Sequence, residues 1–483
     1  MNTPIRRLYG VIVLMFVALL GATTWWTVVK ADDLNRNHAD QNRRNLLRGI
    51  KIPRGDIRAA DGTVIARSYK DRDGVYTRRY LRGDLFGHPV GYSFTSRTQT
   101  ELEAFYNVEL SGGASETDSI LRQLIGNRDR GDDLTTTLDP KAQKLAQDLI
   151  AQASPEEGGA AVVLDPRTGA VKVMASVPGY DPNDIPDHRK FNAFNKDELR
   201  KPLVNRALQF GYAPGSTMKL VTLVAALDSG QYKATDLVNG DNDVKISGVP
   251  LTNDFNKSWG NIDLPSALAN SVNTVFAQIA EKLGKSTMRK YMERFGFDHK
   301  PQLDYPKGEM SSAGEYKDGN LIPPTSRFVD IGRMGIGQDK LSVPAMQMAL
   351  VAAAIANKGK LMKPHIGDRF IDADGRTTKS IGDETESTVM SEGVAAAVTQ
   401  MMVGVVKNGT GTKAQIPGMD VAGKTGTAET ATGANQKNNL WFVGFAPADN
   451  PQVAFAVTVK DVVGFGGDVA APIAKQLIEE LVK

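Results

Sequence analysis

The sequence predicts an α+β protein in which an antiparallel sheet and a helical subdomain follow a small α+β stalk and one transmembrane helix. Three observations predict it. Leu8 to Val29 (LYGVIVLMFVALLGATTWWTVV) is an apolar run without a charge. Beyond it, a pair of alternating segments, Ala160 to Leu164 and Val171 to Ser176, precedes a mainly helical middle. After Gly423 the strand signal returns, in Leu440 to Phe445 and Val453 to Val459, before a closing helix from about Ala470 to Val482. A sheet whose strands come from both ends of the domain is α+β in order, not parallel and doubly wound.

The apolar run, at 1.5 Å rise per residue, is long enough for a hydrocarbon core of roughly 30 Å. Arg6 and Arg7 precede it, Asp32 and Asp33 follow it, and Trp25 and Trp26 stand where an interfacial aromatic belt lies. The expected arrangement is a cytoplasmic tail at 1–7, an anchor at 8–29 and everything later outside the cytoplasm. A cleaved signal ending near Val29-Lys30-Ala31 is the rival, but the run exceeds the usual signal core and ends in bulky tryptophans. Met346 to Ile355 is too short to cross back.

Residues 32–132 are polar and arginine-rich, with turn signals at Asp61-Gly62 and Ser111-Gly112-Gly113, and are read as the stalk. A linker helix is expected within 133–157, where Asp139 caps a helix whose first residue is Pro140. The larger domain then takes 158–483. It opens with a hairpin turning at Asp165-Pro166-Arg167-Thr168-Gly169.

With 483 residues, 41% hydrophobic and 23% charged, the chain can build two or three cores. Its 58 Lys plus Arg against 55 Asp plus Glu leave no field that would gather nucleic acid. There is no cysteine, so disulfides, thiol catalysis and cysteine-ligated metals are excluded. A nucleophile must be an oxygen or an amine.

Ser216-Thr217-Met218-Lys219 opens the apolar helical run TMKLVTLVAAL. A serine in the first turn has Lys219 on its own face one turn on, within reach of its hydroxyl. Serine needs an adjacent base, and lysine becomes one when burial or a second cation lowers its pKa. The helix N-terminus also favours negative charge developing there. Ser271-Val272-Asn273 then falls in a break between LPSALAN and TVFAQIAEKLG, and Lys424-Thr425-Gly426-Thr427 lies on an expected strand. S-x-x-K, S-x-N and K-T-G thus occur in order.

On these motifs the chain resembles the class B penicillin-binding proteins, D,D-transpeptidases with a penicillin-binding, serine β-lactamase-like fold. The resemblance extends along the chain. Arg54-Gly55-Asp56-Ile57 with Asp61-Gly62 and Ile65-Ala66 is similar to a stalk element of the family. Thr136-Thr137-Leu138-Asp139, Ala213-Pro214-Gly215-Ser216, Gly335-Ile336-Gly337-Gln338, Asn408-Gly409-Thr410-Gly411 and Trp441-Phe442-Val443-Gly444 are similar to further landmarks. Order and stalk length look closest to the actinobacterial penicillin-binding protein A type.

The resemblance implies cross-linking of peptidoglycan stem peptides ending in D-Ala-D-Ala, with release of D-alanine, inhibition by β-lactams, and a role in wall synthesis during growth or division. It implies Ser216 as nucleophile, Lys219 as base, Ser271 as proton relay, Asn273 as a holder of substrate backbone and Lys424 as the charge that keeps Lys219 neutral. Thr425, Gly426 and Thr427 bind substrate beside Lys424, and the backbone N–H groups of Ser216 and Thr427 form the oxyanion hole. It implies no cofactor or metal, no nucleic acid, and a SEDS-type glycan polymerase as membrane partner.

Other readings compete for single features. Gly418 to Thr425 fits G-x-x-x-x-G-K-[ST], but the residues after it have no helical apolar face to cradle phosphate. Arg54-Gly55-Asp56 is better explained as a structural arginine beside a tight glycine turn. His38, His88, His188, His299 and His365 show no ligand spacing, so surface or loop positions are expected. Met346, Met348 and Met362 are expected to fill core. Among serine acyl-transferases the stalk is too short for a second, glycosyltransferase domain, and the anchor argues against a β-lactamase. A carboxypeptidase is the enzymatic alternative, and a β-lactam sensor or inactive scaffold the non-enzymatic one.

Overall fold

The computed structural model describes residues 3–25, 52–112, 130–429 and 437–482. Helix α1, Thr3–Thr24, begins before the expected anchor start at Leu8, and Arg7–Thr24 is long and apolar enough to cross a membrane. Residues 26–29 of the expected span, Trp26 among them, the start of the stalk at 32–51 and Gly113 lie outside the described residues.

The stalk is built on β1 (Ile57–Arg58), β2 (Val64–Lys70), β3 (Tyr76–Tyr80) and β4 (Asp133–Thr136). Arg54 and Arg78 converge on the fully buried Glu103, at 2.7 and 2.6 Å. A Cβ at Gly55 would strike the Asp132 carbonyl, so this arginine and glycine are structural, as read. Two features differ from the sequence reading. The segment 133–136 is a strand, pairing in parallel with β1, rather than part of a linker helix. The sheet is also completed by the hairpin Gly367–Ile371 and Thr377–Ser380, which pairs with β4 from deep inside the 158–483 segment. The two parts of the chain therefore share one continuous core.

Asp139 caps α2 (Pro140–Ala153), its carboxylate accepting from the N–H groups of Lys141 and Ala142 at 2.9 Å. Then come β5 (Gly159–Leu164) and β6 (Val171–Val177), followed by α3 (Lys219–Asp228), α4 (Leu264–Ala269), α5 (Asn273–Arg294), α6 (Ala345–Ala356) and α7 (Glu392–Asn408). The chain closes with β7 (Ala422–Glu429), β8 (Asn438–Ala446), β9 (Val453–Val462) and α8 (Gly466–Leu481). The sheet runs β7-β8-β9-β5-β6, antiparallel throughout, joining both ends of the domain as expected.

Alternation along these strands divides the interior. Trp441, Val443 and Phe445 of β8 face the helical middle and α6, while Leu440 and Phe442 face α2 and α8. Every residue of β8 is buried, the pattern of a strand covered on both faces. Met346 and Met348 are core. Two of the histidines expected at the surface are not there: His88 and His365 are buried, His88 with its ring edge-on to Tyr180 at 5.0 Å and its pKa pushed down to about 3, by burial first and then by Arg206.

Asp139→Ala removes both cap bonds of α2 and is expected to lower stability by about 1 kcal/mol, measured by chemical denaturation of the full chain in detergent. An unchanged midpoint would mean that β4 and Pro140 alone hold the helix entry.

Candidate active site

Ser216 lies in a 3-10 turn, Gly215–Met218, that runs directly into α3. The turn is held from three sides. Gly215 donates its N–H to the Gly337 carbonyl at 3.0 Å, Trp441 on β8 donates its indole N–H to the Ala213 carbonyl at 3.0 Å, and Thr217 donates its hydroxyl to the Pro214 carbonyl at 2.8 Å. Gly215 has φ +52°, and a Cβ there would lie 2.8 Å from the Thr427 carbonyl oxygen. A Cβ on Gly426 would lie 2.8 Å from the Pro214 carbonyl oxygen. Two glycines thus let β7 and the serine turn meet backbone to backbone.

Lys219, at the start of α3, and Lys424, on β7, are both buried. The Lys219 amine donates to the Ser271 carbonyl at 2.7 Å and to Asn273 Oδ1 at 2.6 Å, and lies 3.2 Å from Ser271 Oγ. The Lys424 amine donates to the same Ser271 Oγ at 2.9 Å and to the Thr425 carbonyl at 3.0 Å. Both are 0% exposed. One hydroxyl therefore bridges two amines. Burial pushes both pKa values down; Lys424 falls to about 7, and Lys219 falls well below its usual range because the Lys424 charge adds to burial. A neutral Lys219 amine that donates to Ser271 O and Asn273 Oδ1 keeps one lone pair for a proton.

Ser271 reaches this place because it leaves the end of α4 with φ +56°, an unusual conformation for a serine, before α5 starts at Asn273. The expected break between two helices is therefore present, and its geometry aims the hydroxyl. Lys219 makes its hydrogen bonds to Ser271 and Asn273. Thr425 is buried and bonded to Thr410 at 2.6 Å between hydroxyl oxygens, whereas Thr427 is partly exposed, its hydroxyl accepting from the Gly466 N–H at 3.3 Å.

Of the residues singled out from sequence, hydrogen bonds join Lys219, Ser271, Asn273 and Lys424 directly; Ser216 lies in the turn that leads into Lys219, and Thr425, Gly426 and Thr427 follow Lys424 on β7. Sequence reasoning gave no role to Thr410, Gly337 or Asp254. Thr410 and Gly337 stood in recognised landmarks, but Asp254 stands in a loop without periodicity or motif. Lys424 is on a strand, which leaves no helix N-terminus for a phosphate at Gly418 to Thr425; the residues from 430 lie outside the described ones. Among the described residues, no group of three potential ligands could hold a metal ion. Two buried amines with lowered pKa values, joined through one serine hydroxyl, suit proton transfer.

Comparisons with known proteins agree. The family model "Penicillin binding protein transpeptidase domain" matches residues 159–479, and "Penicillin binding protein A dimerisation domain" matches residues 54–134. The peptidoglycan D,D-transpeptidase PbpA of Mycolicibacterium smegmatis is 32% identical over 99% of this chain and 98% of its own. Penicillin-binding protein A of M. tuberculosis, solved as a ceftriaxone acyl-enzyme complex, superposes with a TM-score of 0.80 at 28% identity, covering 91% of this chain and 100% of that one. A D,D-transpeptidase domain from Eggerthella lenta gives 0.76 at 32% identity, covering 89% and 98%.

A buried lysine with a lowered pKa binds fewer protons folded than unfolded, so it destabilises the fold below its unfolded pKa, and the penalty fades as pH rises toward that value. Lys424→Met is therefore expected to be more stable than the parent at pH 7, by about 1 to 4 kcal/mol, with the gain shrinking toward pH 10. Denaturant midpoints across that range check it; a constant difference would contradict the lowered pKa.

Proposed function

The chain belongs to the class B penicillin-binding protein transpeptidases, and from that membership we propose that its wall-building reaction runs through an acyl-enzyme on Ser216. The protein is a serine-type peptidoglycan D,D-transpeptidase of cell wall synthesis, and it binds β-lactams. The observation that carries the assignment of residues is the buried pair Lys219 and Lys424, bridged by the Ser271 hydroxyl, with Ser216 in the turn that leads into Lys219.

The Ser216 oxygen attacks the carbonyl between the two terminal D-alanines, and neutral Lys219 takes its proton. The backbone N–H groups of Ser216 and Thr427 receive the oxyanion, a contribution of roughly 3 to 4 kcal/mol per donor. Lys219 returns the proton through Ser271 to the departing amine. The C–N bond breaks, free D-alanine leaves, and the stem peptide stays on Ser216 as an ester. An amine of a neighbouring stem peptide then attacks the ester, loses its proton by the same route, and releases Ser216. Lys424, with Thr427 at the cleft and Thr425 tied to Thr410, attracts the terminal carboxylate. Asn273 aligns Lys219 and borders the path of the substrate backbone.

Helix α1 is the proposed single-pass anchor, with residues 1–7 in the cytoplasm and the catalytic part outside. A glycan polymerase of the SEDS type in the same membrane is the proposed partner, since the family models that match the chain are those of a transpeptidase and a dimerisation domain. A tagged chain extracted in detergent is expected to bring such a polymerase with it, and repeated purification without one removes that proposal.

Fluorescent penicillin is expected to label the parent chain at the peptide bearing Ser216, identified by mass spectrometry. Ser216→Ala is expected to lose labelling, by at least a thousandfold, without a change in unfolding midpoint. Label on another serine, or on the variant, refutes the assignment.

A further inference from the structure

The loop that leads from Leu251 toward α4 meets Asn273, the partner of Lys219. Its buried Asn253 is fixed from all sides: its N–H donates to Asn242 Oδ1 at 2.8 Å, its side-chain amide to the carbonyls of Gly240 and Lys257 at 2.9 and 3.0 Å, and its Oδ1 accepts from the Thr274 N–H and hydroxyl at 3.0 and 3.1 Å. The loop is thus tied to the first turn of α5. Phe255 and Asn256 follow with φ +58° and +54°, and the Phe255 ring meets Phe465, at the start of α8, with centroids 5.7 Å apart. Held at both ends, Asp254 presents its carboxylate to Asn273.

Asn273 Nδ2 donates to Asp254 Oδ1 at 3.3 Å and to the Thr252 carbonyl at 3.2 Å, while its Oδ1 accepts from Lys219 at 2.6 Å. A flipped amide would set Oδ1 against a carboxylate and a carbonyl, and Nδ2 against an amine that donates. Asp254 therefore selects the orientation in which Asn273 receives Lys219. The same carboxylate is the negative charge felt by both lysines: Lys219, entering from α3, is acted on by Lys424 and Asp254, and Lys424, from β7, by Asp254. Asn273, from α5, is neutral.

We propose that Asp254 is a positioning residue of the acyl-transfer site, which orients the Asn273 amide toward Lys219. The inference rests on the transpeptidase reading. Acylation needs Lys219 neutral and Lys424 charged, so its rate falls on the acid side as Lys219 gains a proton and on the alkaline side as Lys424 loses one. A nearby carboxylate raises both pKa values. Without its charge both limbs move to lower pH, so the whole profile is displaced rather than merely lowered.

The test is the rate of fluorescent penicillin acylation against pH, in the detergent-purified full chain, for the parent, Asp254→Asn and Asp254→Glu. Asp254→Asn is expected to shift the optimum down by about half a pH unit and to slow acylation at pH 8 by about threefold, while Asp254→Glu keeps the parent optimum. An Asp254→Asn profile with the parent optimum, whatever its height, overturns the proposal. A parent chain that takes up no label at any pH overturns the transpeptidase reading, and this inference with it.

Discussion

Two lysine amines, fully buried and joined through one serine hydroxyl, are the constraint around which the rest of the domain is arranged. Among the described residues neither amine has a carboxylate within ion-pair distance, so both are costly to charge. Such a pair persists only if the surrounding structure over-determines it. The five-stranded sheet fixes Lys424 through its β7–β8 register, where Lys424 opposes Val443 and Thr425 opposes Phe442. The helical middle fixes Lys219 through α3, and the left-handed Ser271 closes the bridge between them.

Small residues let these parts meet. A Cβ on Gly337 would strike the Gly215 backbone, and one on Gly466 would strike the carbonyls of Trp441 and Gly426. The serine turn, β7 and the start of α8 are therefore packed main chain to main chain, which suits a site that stabilises charge with backbone N–H groups rather than side chains. The stalk joins the same body. Tyr106 donates its hydroxyl to Asp304 Oδ2 at 2.7 Å, and Asp304 also accepts the N–H groups of Ile366 and Gly367, where the hairpin enters the stalk sheet.

Much of this was legible in the residues. Asp139-Pro140 announced a helix start because capping is local, and the segments around Leu440 and Val453 announced strands because β-branched and aromatic residues run together there. What escaped was non-local. Nothing in Gly367 to Ser380 says that the hairpin will pair with β4, since register with a distant strand leaves no mark on local composition. His88 and His365 escaped for a related reason: a single histidine carries no periodicity, and neighbours from other elements decide its burial. In the site, three short motifs pointed to Ser216, Lys219, Ser271 and Lys424 because their spacing maps onto one helical turn, one helix break and one strand. Asp254 acts through Asn273 from a loop with no repeat, and only the folded chain brings the two together.

The central claim is that Lys219 is neutral at pH 7 because of burial and the charge of Lys424. Carbon-13 NMR of the chain labelled at lysine Cε, with the Lys219 signal assigned by its loss in Lys219→Arg, reads that charge state directly. The account predicts a Lys219 signal at the neutral-amine position at pH 7. A signal at the ammonium position, titrating near the ordinary lysine value of about 10.4, would contradict it.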